Sequence, residues 1–247
     1  MRRLLRLLKR ALSPSDDLTS RTIVGGLWTA LTNVSDRALQ ILVLLVLARL
    51  LSPAEFGLFG IATLTFTALK RFSRLGFDTA LIQRQQENVD AYLDTVFTLR
   101  FLRGVVVAGI AFLAAPLVAG FFSEPLATPI VRVVALGSVF RGLYNPGTIY
   151  FRKDLEFHKQ FVYSFSSSLT QALVSIGYVL VSPTVWALVA GSVAGSFARL
   201  LASYVIHDYR PRPGFNRQRA EEMVDYGKWM YGSSVISYFY SETPSGN

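Results

Sequence analysis

IVGGLWTALTNVSDRALQILVLLVLARLL, residues 23–51, is an apolar run crossed by a polar stripe. Asn33, Asp36, Arg37 and Gln40 fall at i, i+3, i+4 and i+7, so a helix puts them on one side. The run exceeds the roughly 20 apolar residues that span a bilayer. An arginine near the centre of such a span costs about 2.5 to 3.5 kcal/mol on the insertion scale. A face turned toward a water-filled cavity or a neighbouring helix removes most of that cost. The stripe therefore predicts a membrane helix of the transporter type, with Asp36 and Arg37 either lining a pathway or holding the bundle together.

Composition points the same way. Hydrophobic residues make up 51% of the 247, mean hydropathy is +0.38, and there are 18 Phe, 11 Tyr and 18 Gly. Apolar stretches at about 23–50, 56–77, 97–122, 129–150, 160–181 and 184–206 predict six complete spans, with a seventh beginning near Tyr226. The expected fold is all-α, a polytopic membrane helix bundle. Its expected organisation is an amphipathic segment at 1–21, a six-helix lobe at 22–206, a basic linker at 207–225 and the start of a further lobe at 226–247. In the first segment Arg2, Arg3, Arg6, Lys9 and Arg10 oppose Leu4, Leu5, Leu7, Leu8 and Leu12, as in a helix lying on an anionic membrane surface. A signal peptide is the rival reading, but arginines interrupt its apolar region, and Pro14, Asp16 and Asp17 stand where small residues belong.

The formal charge of +9 would suggest nucleic acid in a soluble protein. Here the placement of the charge decides otherwise. Of the 25 Lys and Arg residues, only Arg49 and Arg132 fall toward one side, with Arg37 inside the membrane and the rest on the opposite side. By the positive-inside rule the amino terminus is cytoplasmic, in a multi-pass cell-membrane protein with no nucleic-acid partner. Cysteine is absent, which removes disulfides and thiolate chemistry.

Prolines punctuate the spans. Pro53, Pro125, Pro129 and Pro183 lie at turns, and Pro116 and Pro146 predict kinks or local unwinding inside spans three and four. Span two carries Lys70, Arg71 and Arg74, where a cavity role competes with snorkelling to headgroups. Arg141, beside Tyr144 and Asn145, is expected about midway along span four, where snorkelling explains it less readily. Ser164, Ser168, Gln171 and Ser175 share a face of span five and suit either packing or a ligand. Ala187, Gly191, Gly195 and Arg199 recur every four residues in span six, and this small-residue face predicts close contact with another helix. The candidate cavity residues are thus Asn33, Asp36, Arg37, Gln40, Lys70, Arg74, Arg141 and Gln171. Positive charge dominates among them, and an anionic cargo such as a phosphate or pyrophosphate headgroup follows.

Enzyme signatures are missing: no GxxxxGK[ST], no HExxH and no GxSxG. His158 and His207 are far apart in loops and make no metal site. The expectation is a non-enzyme without a metal.

LARLLSPAEFGLFG at 47–60, LGFDTALIQR at 75–84, FRKDLEFHK at 151–159, WALVAGSVAG at 186–195 and VDYGKWMYGSS at 224–234 stand in that order. Together they resemble the oligosaccharide flippases of polysaccharide biosynthesis, in the multidrug/oligosaccharidyl-lipid/polysaccharide exporter superfamily. The resemblance implies movement of lipid-linked oligosaccharide across the cell membrane, by alternating access of two helical lobes, with no cofactor beyond a coupling ion. This chain matches the first lobe. Gly26, Leu27 and Trp28 recur as Gly227, Lys228 and Trp229, as if a second lobe were starting. A truncated or split product is expected, completed by a missing second lobe or a second copy. The alternatives are a non-transporting scaffold of glycan assembly, an inactive remnant, or a multidrug exporter of the same superfamily.

Overall fold

The computed structural model describes residues 18–72, 90–214 and 216. The amphipathic amino-terminal segment up to residue 17, Arg74, the far end of the expected second span, most of the linker and the expected start of a seventh span lie outside the described residues. Within them the chain is helical, with no strand. We number the helices α1 (Leu18–Leu50), α2 (Pro53–Phe72), α3 (Asp90–Phe121), α4 (Ala127–Gly142), α5 (Tyr150–Lys153), α6 (Phe157–Val181) and α7 (Trp186–Ile206), with a 3-10 turn at Pro146–Ile149.

Four of the six long helices have the length and apolar composition to cross a membrane, over Val24–Leu50, Leu93–Phe121, Phe157–Val181 and Trp186–Ile206. Their outward faces are apolar too: Leu113 and Leu117 are 76% exposed and Phe121 83%. Such a surface suits lipid rather than water.

The fourth span departs from expectation. Instead of 129–150, α4 covers 16 residues and ends at Gly142, about 24 Å at 1.5 Å per residue, short of the roughly 30 Å hydrocarbon core. The cause is local. Pro146 lacks an N–H and forces the residue before it out of the helical region, and Asn145 accordingly adopts φ −58°, ψ 116° while its side chain accepts from the Gly147 N–H at 2.9 Å. Pro116, by contrast, is absorbed inside α3.

The turn between α1 and α2 is fixed by a capping box. The Ser52 N–H and hydroxyl bond Glu55 Oε2 at 2.8 and 3.1 Å, and Pro53 opens the helix where its missing N–H costs nothing. This turn and those at 122–126 and 182–185 are short and lie at one end of the bundle.

Neighbour relations follow an arc: α1 packs on α6, α6 on α7, α7 on α4, and α4 on α2 and α3. Gly25 lies against the Phe157 ring, Trp28 against Phe161, and Leu47 joins Val179 in one cluster, so α1 and α6 run parallel in constant register. The small-residue face of α7 packs on α6 as expected. Ala187, Gly191 and Gly195 are buried; a Cβ on Gly195 would come within 2.9 Å of Gln171 Cβ and 3.0 Å of the Ser167 carbonyl. Ser167 Oγ in turn donates to the Gly195 carbonyl at 2.8 Å. Gly104 of α3 and Gly142 of α4 make a second close crossing, with a Cβ on Gly142 falling 2.8 Å from the Arg100 carbonyl. The largest core, with Leu58, Ala62 and Phe66 of α2 set among Ala111, Ala115 and Val134, ties α2, α3 and α4 to the start of α7. By contrast α1 and α2 meet around Leu47, Leu51 and Phe56 and do not pack along their lengths.

Candidate functional site

The polar stripe of α1 divides. Gly25, Trp28, Thr32, Ser35, Asp36, Leu39 and Leu47 form the side turned to α6, while Asn33, Arg37 and Gln40 point outward and are exposed. Arg37 Nη1 reaches Gln40 Oε1 at 3.5 Å, at the limit of a useful hydrogen bond. Asp36 is half-buried, its Oδ1 enclosed and without a hydrogen-bond partner. The parallel register sets it at the level of Ser168.

A second group forms on α2, α4, α6 and α7. The Phe66 ring has Arg141 Cζ at 5.2 Å and Lys70 Nζ at 5.5 Å from its centre. Tyr144, just past α4, lies in the field of both Arg141 and Arg199. Its hydroxyl reaches the Ser196 carbonyl at 3.3 Å, and its ring meets Tyr163 edge-on at 6.3 Å and 88°. Tyr163 carries Arg199 Cζ 5.6 Å from its centre, and Arg199 Nε is enclosed without a hydrogen-bond partner. Phe66, Arg141, Tyr144, Arg199 and Tyr163 thus make a continuous row of cations and aromatic rings. Neither Arg141 nor Arg199 pairs with a carboxylate among the described residues.

Rings hold cations by their quadrupole and leave N–H donors available to another acceptor. The row therefore suits an oxyanion with several oxygens. Of the residues singled out in the sequence, Lys70 and Arg141 are brought together; Asn33, Arg37 and Gln40 are not in contact with them. Gln171 lies on α6 with its Cβ and Oε1 against Gly195 of α7.

Arg199, Tyr163 and Phe66 were not among the candidate cavity residues, although Arg199 was placed on the small-residue face of span six. The spacing held a signal for two of them. Arg199 is one turn beyond Gly195 on the α7 face that meets α6, and Tyr163 precedes Ser167 and Gln171 at the same four-residue interval. Among the described residues no three His, Asp or Glu side chains gather to hold a metal ion.

Residues 46–245 match the model of a family described as polysaccharide biosynthesis protein. The lipopolysaccharide biosynthesis protein WzxC of Escherichia coli is 26% identical over 230 residues, covering 90% of this chain and 45% of that one. The succinoglycan biosynthesis transport protein ExoT of Rhizobium meliloti is 24% identical over 220 residues, covering 88% and 44%. The teichuronic acid biosynthesis protein TuaB of Bacillus subtilis is 21% identical over 223 residues, covering 89% and 46%. The chain thus spans about half the length of the curated relatives it matches. No solved structure matches it significantly.

Proposed function

Because the chain belongs to the polysaccharide biosynthesis protein family, we propose that it forms one lobe of a flippase moving lipid-linked oligosaccharide units across the cell membrane. The relatives' names are those of polysaccharide biosynthesis proteins, one of them a biosynthesis transport protein. The observation that carries the reading is the row of Lys70, Arg141 and Arg199 held on Phe66 and Tyr163. Carrier lipids present a phosphate or pyrophosphate, and guanidinium groups donate paired, charge-assisted hydrogen bonds to such oxygens.

The mechanism requires no bond to change. The row lies at the end of the bundle away from the short turns, the end that the distribution of Lys and Arg assigns to the cytoplasm. A headgroup from the inner leaflet meets these cations first. Alternating access then carries it outward, with the exposed face of Asn33, Arg37 and Gln40 turned toward a second lobe or a second copy and Asp36 facing α6. A multidrug exporter of cationic compounds fits less well, since acidic groups do not lead in this row.

Binding tests the reading directly. The purified 247-residue chain in lipid nanodiscs is titrated with a fluorescent polyprenyl phosphate and with the matching polyprenol. Tighter binding of the phosphate, lost in the double variant Arg141→Ala/Arg199→Ala, is the expected result. Equal binding of the two lipids rules the cationic site out.

A further inference from the structure

Past α7 the chain reads HDYRPRPG over residues 207–214 and forms no helix or strand. Three of its backbone N–H groups are nonetheless held by side chains. The Tyr209 N–H donates to His207 Nδ1 at 3.0 Å, the Arg212 N–H to Asp94 Oδ1 at 2.8 Å, and the Gly214 N–H to Thr98 Oγ1 at 3.2 Å. Each acceptor is a side chain, and two belong to the first turns of α3. Pro211 and Pro213 have no N–H to satisfy and stiffen the segment between those anchors.

Further bonds run the same way. Tyr209 Oη donates to Asp94 Oδ1 at 2.6 Å, and Thr98 Oγ1 donates to the Gly214 carbonyl at 2.8 Å. Asn145, fully buried at the break after α4, donates from Nδ2 to the Tyr209 carbonyl at 2.6 Å, and its own N–H bonds Ser203 Oγ at 3.1 Å. Tyr209 also packs against Leu93 and Val96, both 0% exposed. A Cβ on Gly147 would fall 2.6 Å from His207 Nδ1 and 3.0 Å from Tyr209 Cβ, so the segment lies directly on the α4 break.

Helices α3 and α7 are not among the closely packed helix pairs. We propose that residues 207–214 are a strap that fastens the end of α7 to the start of α3, with the Asp94 carboxylate as its catch. One oxygen of Asp94 receives both the Tyr209 hydroxyl and the Arg212 amide, so a single side chain holds the strap at two points. Two consequences follow. While fastened, the strap keeps α3, the α4 break and α7 in one arrangement at this end. It also sets Gly214 itself beside α3, bonded to Thr98. Neither consequence depends on the identity of the cargo.

Hydrogen exchange tests the catch on the full chain in nanodiscs, read at the Arg212 and Gly214 amides by fragmentation mass spectrometry. Asp94→Ala should speed exchange at both by about ten-fold or more, as expected for losing a hydrogen bond to a charged group. The amides of α7 should keep their protection, which separates strap release from unfolding. Tyr209→Phe, a milder change that removes only one hydroxyl, should give a smaller increase at Arg212. If Arg212 exchanges equally fast in the unaltered chain and in both variants, the strap is not fastened by Asp94 and the proposal is wrong.

Discussion

The guanidinium of Arg141 lies 5.2 Å from the centre of the Phe66 ring, so a cation from the last turn of α4 rests on an aromatic side chain from α2. This contact steadies the cation without using its N–H donors. Arg141→Ala should therefore weaken binding of a polyprenyl phosphate by about 10- to 100-fold, the range for charge-assisted hydrogen bonds. Arg141→Lys should recover only part of it, since an ammonium cannot donate in the paired geometry. Unchanged affinity in the alanine variant would remove Arg141 from the site.

Phe66 makes a second claim on the same contact. Phe66→Leu keeps an apolar side chain among Ala62, Val134 and Ala135 but removes the ring quadrupole. Binding should fall by about 2- to 30-fold, corresponding to about 0.5 to 2 kcal/mol of cation–π attraction. The thermal midpoint in detergent should shift little. A large loss of stability with intact binding would make Phe66 a packing residue only.

Two glycines on α3 offer a controlled comparison. A Cβ on Gly104 would sit 2.7 Å from the Ser138 carbonyl and 3.3 Å from Gly142 Cα, whereas nothing lies within 4 Å of one on Gly109. Gly104→Ala should destabilise by about 1 to 3 kcal/mol through backbone displacement. Gly109→Ala should be neutral or stabilising by up to about 1 kcal/mol, the ordinary gain in a helix interior. Thermal or denaturant unfolding of both variants decides; equal midpoints would mean that α3 and α4 are not in close contact.

The legibility of these features in the sequence follows from the range of the interactions. The α7 face could be read because Ala187, Gly191 and Gly195 act through their own lack of bulk, whatever helix they meet. The break after α4 was foreshadowed by Pro146, yet its extent depended on Asn145 capping the following turn. The α1 stripe was visible as a periodicity, but neighbours on the helical wheel take different roles: Asp36 turns to α6 while Arg37 turns outward. The spacing put Arg199 on the face that meets α6 but did not reveal its role, because only folding places Tyr163 beneath it. The strap was invisible for the same reason, since Asp94 and Tyr209 are separated by 115 positions and no local pattern links them.

Asn145 should be the most costly polar residue to truncate. Its side chain is 0% exposed, donates to the Tyr209 carbonyl and accepts from the Gly147 N–H. Asn145→Ala leaves both groups without that partner, an expected loss of about 2 to 4 kcal/mol at about 1 to 2 for each. Exchange at the Gly147 amide should accelerate with it. A stability within about 0.5 kcal/mol of the unaltered chain would show that water or a backbone shift replaces these bonds.

His207 gives the strap a pH dependence. Burial against Tyr150, Phe151 and Gly147 lowers its pKa below the ordinary imidazole value; Lys159 and Arg210 act in the same direction, while Asp208 and Glu156 oppose them. Neutral imidazole is also what the fold uses, because Nδ1 accepts the Tyr209 N–H and cannot do so once protonated. The unfolded chain then binds the proton more readily than the folded one. The contribution of His207 to stability is therefore fully present above about pH 6.5, the unperturbed imidazole value, and falls as the pH drops below it toward the depressed folded value. Labelled His207 followed by NMR in the His158→Gln variant should titrate with a midpoint below the ordinary imidazole value, and His207→Gln should flatten the acid side of the stability profile. A midpoint at or above the ordinary value would mean that the ring does not serve as the Tyr209 acceptor.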